Sequence, residues 1–383
     1  MNDLDRRRRK HLILTITHQC NLSCRYCYEA NKSPGTMPLE VAQRVIEKHF
    51  ANSECFDEIE ITLHGGEPFL AFKRLREICE WLWSQSWPKP YVIFVTTNGT
   101  VVHGVVQQWA AGHRKAVCLA LSLDGTAEMH NANRSNSFDK IDLGFFQRTW
   151  PDQPVQMTVS DLTLHTVAEG IIYLHSLGFK INCTLACGID WSKPETLKQF
   201  QIQLEKVTEF YLREPEIEPC DFMLMKMSAI GAESSEGKAL LGVTGKRSEK
   251  WCGIGTELVA VDCDGTEYPC HLFLPFAVGE RLGPHQRFDF ATCTSLDDER
   301  CNDCVLLPIC PTCYASNLLE NGSPDVRNLP LCSLTKIRAL ASSSMQAQML
   351  LRRSEFRLFG QMKPTNLMFT IMGIERVQSS VHL

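Results

Sequence analysis

Three cysteines crowd into eight residues near the start of the chain, Cys20-x3-Cys24-x2-Cys27 in the segment HQCNLSCRYCYE. Thiolates are soft ligands, and three so close together can hold three irons of a cubane while leaving the fourth iron without a protein ligand. An open metal position is where chemistry happens. A structural zinc would need a fourth ligand, which His18 could supply, but zinc pairs usually come with a distant second pair.

A second group follows: Cys252-x12-Gly265-x4-Cys270, then Cys301-x2-Cys304-x5-Cys310-x2-Cys313, then Cys332. Only five residues separate the two C-x2-C pairs. Zinc-ribbon knuckles stand roughly 15–20 apart, so the close spacing favours iron–sulfur clusters. Of the remaining cysteines, Cys55, Cys79, Cys118, Cys183, Cys187 and Cys220 read as buried apolar thiols. His64, His130 and His271, beside the motifs, read as structural.

Disulfides are the competing explanation for 18 cysteines. The basic run Arg6–Lys10 is followed by an apolar run, Leu12–Ile16, too short for a signal sequence, and no stretch approaches the ~18 apolar residues of a membrane span. A cytoplasmic protein with reduced thiols is therefore expected. With 383 residues, 44% apolar and 22% charged, the chain is long enough for two or three folded domains. A net charge of −5 and a pI near 6.2 provide no basic field for nucleic acid.

The elements that must position these residues show two periods. Leu12–Thr17, Glu58–Leu63, Val92–Thr97, Cys118–Leu123, Val155–Ser160 and Lys180–Leu185 read as buried strands. Helical spacing over Pro38–Phe50, Lys73–Trp83, Val101–Ala111, Thr166–Leu177 and Pro194–Leu212 makes this repeated βα, an α/β fold with a parallel sheet bent into a partial or full barrel. Residues 214–250 read as a connector. Glu257–Asp262, Asp264-Gly265 and Thr266–Tyr268 read as a hairpin, and Leu334–Leu351 as a closing helix.

The first cysteine motif, with the aromatic Tyr26 before its third cysteine, resembles that of the radical S-adenosylmethionine (SAM) superfamily. His64-Gly65-Gly66-Glu67-Pro68, Thr97-Asn98-Gly99 and Ser122-Leu123-Asp124-Gly125 fall at successive C-terminal strand ends, the functional face of a β/α barrel. The resemblance implies a [4Fe–4S] cluster on Cys20, Cys24 and Cys27, with SAM chelating the open iron. It places Gly65, Gly66 and Glu67 at the methionyl amine and Arg134, helped by Ser122, at the carboxylate, with Asn98 in the same pocket. It further implies reductive cleavage of SAM to a 5′-deoxyadenosyl radical that abstracts hydrogen from substrate, with the protein excluding water.

The second group resembles the SPASM domain, the auxiliary-cluster extension of radical SAM enzymes that modify peptides and proteins. It departs in having two residues in its last gap, Cys310-Pro311-Thr312-Cys313, where three are usual. By position, the resemblance implies that Cys252, Cys270 and Cys313 hold one auxiliary [4Fe–4S] cluster and Cys301, Cys304, Cys310 and Cys332 a second. Cys263 or Cys293 could complete the first, or its last iron stays open, the reading preferred here. The expected architecture is thus a partial (β/α)6 TIM-like barrel (1–213), a connector (214–250), a small Cys-rich SPASM domain (251–345) and a tail (346–383).

The implied function is maturation of a ribosomally made peptide through a thioether or carbon–carbon crosslink, epimerisation or backbone excision. A formylglycine-forming sulfatase maturase is the alternative, and a plain electron-transfer protein the non-enzymatic one. Expected partners are a precursor peptide, a separate leader-recognition protein, since the first strand begins at Leu12, and a flavodoxin- or ferredoxin-type electron donor. Neither nucleic acid nor membrane is expected.

Overall fold

The computed structural model describes residues 8–29, 31–232, 252–278, 299–310, 312–324, 326–356, 359 and 362–382. Cys293, Pro311, Arg6, Arg7 and residues 233–250 of the expected connector lie outside the described residues. All six expected strands form: β1 (Arg9–Thr17), β2 (Glu58–Gly65), β3 (Tyr91–Thr97), β4 (Val117–Leu121), β5 (Val155–Val159) and β6 (Ile181–Leu185). Strands β1 to β4 pair in sequence order and in parallel, and β5 pairs with β6. Among the described residues, an isolated parallel bridge, Ser122 to Gln156, joins the two sheets. The result is the expected parallel arc of a partial barrel.

Register explains the core. Leu12, Ile61 and Ile93 stand opposite one another across β1, β2 and β3, as do Leu14, Leu63 and Val95. They share one apolar cluster with Ile46, Leu75 and Ile78 of the helices that follow β1 and β2. Fully burying such a side chain stabilises by about 1.5–3 kcal/mol.

The expected connecting helices appear as Leu39–Ala51, Phe72–Ser84, Val105–Gly112, Val167–Ser176 and Pro194–Arg213. Two more, Ala127–Asn133 and Leu143–Thr149, lie between β4 and β5 and were not foreseen. Seven residues cannot display a helical repeat, and both are held by caps instead. Thr126 accepts from Met129 N, and Asp142 from Phe145 N.

The hairpin forms as β7 (Leu258–Val261) and β8 (Glu267–Tyr268). Its placement is new. Strand β7 runs parallel to β1, with His11 opposite Leu258 and Leu14 opposite Val261, so the C-terminal region completes the sheet on the edge that β1 would otherwise leave open. Glu267 fastens the hairpin to the first helix by accepting from Lys48 Nζ at 2.8 Å and bonding His49 Nε2 at 3.1 Å.

The expected closing helix spans Pro330–Leu351 and packs on Pro194–Arg213. It does not end the chain, because a further helix, Pro364–Ser380, packs against it and against Met227–Gly231. Among the described residues, no helix is long and apolar enough to cross a membrane.

Candidate functional site

The loop after β1 carries Cys20, Cys24 and Cys27 and is held from several strand ends at once. Gly66 N donates to Thr17 O at 3.0 Å and Glu67 N to Gln19 O at 2.7 Å, which seats the loop on the end of β2. A Cβ at Gly65 would lie 2.1 Å from Thr17 O, and one at Gly66 2.2 Å from Gln19 O and 2.9 Å from Cys20 Cβ. Both positions therefore demand glycine. From β3, Asn98 Nδ2 donates to Asn21 Oδ1 at 2.9 Å, and Asn21 Nδ2 donates to Thr100 Oγ1 at 2.8 Å. Past β4, Ser135 Oγ accepts from Ser23 N and Asn133 O from Arg25 N.

Asp124 organises the centre of this face. Fully buried, it accepts from the Tyr26 hydroxyl at 2.6 Å, Arg134 Nε at 2.9 Å, Asn133 Nδ2 at 3.2 Å and Thr158 N at 2.9 Å. Arg134, itself buried, also stacks over the Tyr26 ring at 5.3 Å. Among the described residues only its Nε meets a protein acceptor, which leaves the two terminal nitrogens for another anion. The sequence marks Asp124 only as part of a strand-end motif and does not reveal this hub, for an acidic residue at a strand end carries no mark of what it will bind.

Glu67 is completely buried and accepts from Thr97 Oγ1 at 2.8 Å, Asn98 N at 2.7 Å and Phe69 N at 3.1 Å. It thereby ties β2 to β3. Burial pushes its carboxyl up to about 7, against the pull of those donors. Ser122 is buried in the bridge between the two sheets, its N–H bonded to Thr97 O at 2.9 Å.

All three thiols of the first loop are raised by burial, Cys24 to about 11. Arg134 opposes the shift at Cys24, and Lys32, unremarked in the sequence, at Cys20 and Cys27. Thiolates here thus call for further positive charge, which metal provides. Three soft thiol donors on one loop fit an iron–sulfur cluster.

The second group separates into two sets. Cys270 caps the turn His271–Phe273, Cys313 caps the helix Tyr314–Asn321, and both pack in one cluster with Ile254 and Phe273. Cys313 and Cys252 are the thiols whose charge Cys270 feels. The other set surrounds Arg327, which interacts with Cys310, Cys301 and Cys332, while Cys304 interacts with Cys310. Tyr28, next to Cys27, joins the two regions by packing on His271 at 5.5 Å between ring centres.

Cys263 lies elsewhere. Its thiol donates to Thr15 O on β1 at 3.1 Å, and burial, reinforced by Asp262 and Asp264, pushes it up to about 12. His18 turns to Asp262 at 2.5 Å instead of toward the first cysteine loop. Cys187 also departs from expectation, because it is exposed past the C-terminal end of β6 and interacts with Cys313. Cys55 is likewise exposed, whereas Cys79, Cys183 and Cys220 are buried as expected.

Comparison with known proteins places this geometry. Residues 10–140 match the family model described as a 4Fe-4S single cluster domain. The cysteine-type anaerobic sulfatase-maturating enzyme of Clostridium perfringens is 23% identical over 333 residues, 78% of this chain and 86% of that one. The structure of native anSMEcpe with bound AdoMet and Cp18Cys peptide superposes with a TM-score of 0.66 at 18% identity, covering 90% of this chain and 99% of that one. In sequence and fold the chain resembles enzymes of the radical SAM superfamily with a SPASM-type domain. Streptococcus suis SuiB bound to precursor peptide SuiA shares the radical SAM/SPASM fold at a TM-score of 0.55 and 17% identity, covering 84% of this chain and 75% of that one. An uncharacterized protein of Methanocaldococcus jannaschii, 39% identical over 72 residues, is matched over 24% of its length.

Proposed function

We propose that the chain is a radical SAM enzyme that matures a peptide or protein substrate, with Cys20, Cys24 and Cys27 holding the radical cluster. When bound, the cluster and SAM supply a 5′-deoxyadenosyl radical that abstracts hydrogen from substrate. The chain's own residues do the positioning. Gly65 and Gly66 let the cysteine loop lie on the strand ends, Glu67 and Asn98 fix its edge, and Tyr26 with Asp124 fixes its middle. Arg134 offers its terminal nitrogens to the SAM carboxylate, and Ser122 lines the same end of the sheet. In this reading Cys252, Cys270 and Cys313 hold one auxiliary cluster, and Cys301, Cys304, Cys310 and Cys332 another.

The observation that carries the reading is Arg134, a buried cation beside the cysteine loop whose remaining donors point to an anionic ligand. Among substrates, a ribosomally made precursor peptide is the first choice, delivered with a separate recognition protein and served by a flavodoxin- or ferredoxin-type donor in the cytoplasm. Anaerobic reaction with SAM, reductant and peptides encoded beside this gene should produce a mass shift in one of them. A sulfatase maturase is the second reading, favoured by the match along 86% of the Clostridium perfringens enzyme. A sulfatase peptide that loses its target cysteine or serine to formylglycine, while precursor peptides stay unchanged, would replace the first reading with the second.

A further inference from the structure

A buried guanidinium lies among the thiols of the second auxiliary set. Arg327 is 6% exposed. Its Nη2 donates to Cys310 Sγ and its Nη1 to Thr312 Oγ1, while its Nε has no acceptor among the described residues. Burial works against the charge, and Cys310, Cys301 and Cys332, in that order, offset it. Taking a guanidinium out of water costs several kcal/mol unless an anion compensates, so these sulfurs must carry negative charge. A cluster held by these cysteines would supply that negative charge. A cubane with four thiolates is an anion in both oxidation states and gains one further negative charge on reduction.

We propose that Arg327 sets the reduction potential of the cluster held by Cys301, Cys304, Cys310 and Cys332, favouring its reduced form through its buried charge and its N–H donation to Cys310 sulfur. The inference rests on the reading that these four cysteines bind a cluster. Both contributions act in one direction. A nearby cation stabilises the added electron, and hydrogen bonds to ligand sulfur raise the potential of iron–sulfur centres. The interactions of Arg327 run to Cys310, Cys301 and Cys332.

The test uses the full chain with Cys20→Ala, Cys24→Ala and Cys27→Ala combined, so that only auxiliary clusters contribute. Iron content and EPR-monitored redox titration are then compared with and without Arg327→Met and Arg327→Lys. With Arg327→Met, one of the two auxiliary signals should shift so that its reduced-to-oxidised ratio at fixed poise falls about tenfold, or about 59 mV for one electron. The other signal should stay in place. Arg327→Lys, which keeps the charge, should recover part of the shift. Unmoved potentials in both variants, with iron retained, would overturn the proposal alone. Loss of about four irons in both variants would make Arg327 a scaffold residue and also overturn it. Absence of iron from the parent background would remove the cluster reading itself.

Discussion

The Tyr26 hydroxyl donates to Asp124 at 2.6 Å, joining the middle of the cysteine loop to a carboxylate that also holds Arg134. Asp124 thus serves as counter-ion and as anchor. Asp124→Asn keeps an acceptor for Tyr26 but strands a buried guanidinium, which should cost about 3–5 kcal/mol and lower the unfolding midpoint in denaturant. Pairing it with Arg134→Met should recover much of the loss, because the stranded charge is then gone.

Gly66→Ala should disturb the first cluster selectively. The new Cβ meets Gln19 O at 2.2 Å and must push the cysteine loop off the end of β2. Iron content after anaerobic reconstitution should fall by about four per chain, with the auxiliary spectra unchanged.

Stability should fall as pH rises toward neutrality through Glu67. Its carboxyl moves from the ordinary 4.5 up to about 7 on folding, driven by burial, so the folded state binds the extra proton. The contribution is complete below 4.5 and is lost as pH passes through 7. Its size is at most about 3 kcal/mol. The stability difference between wild type and Glu67→Gln, followed by denaturant titration between these limits, should shrink with rising pH.

Cys263→Ala should leave iron content and auxiliary spectra unchanged and cost about 1 kcal/mol through the lost bond to Thr15. Cys187→Ala should alter the spectrum of the auxiliary cluster proposed for Cys252, Cys270 and Cys313, since Cys187 interacts with Cys313. EPR of the two variants side by side makes the comparison.

These contrasts show what a sequence can carry. Runs such as Leu12–Thr17 and Val155–Ser160 declare buried strands because their apolar content is continuous and local. The helices Ala127–Asn133 and Leu143–Thr149 are too short for periodicity and are stabilised by caps. The cysteine spacings are equally local, and in the structure Cys270 interacts with Cys313 and Cys252 while Arg327 interacts with Cys310, Cys301 and Cys332. What spacing cannot reveal is contact between distant segments. The pairing of β7 with β1, the bond from Cys263 to Thr15, the approach of Cys187 to Cys313 and the seat of Arg327 all arise only when the chain is folded.

The loop of Cys20, Cys24 and Cys27 is proposed as a radical-generating site. Its most direct measurement is the yield of 5′-deoxyadenosine when reconstituted, reduced protein is mixed with SAM without oxygen. Wild type should give product and Cys24→Ala none above background, because removing one of three thiolates destroys the cluster with an open iron. Undiminished 5′-deoxyadenosine from Cys24→Ala, or none from wild type carrying its full iron, would contradict that role.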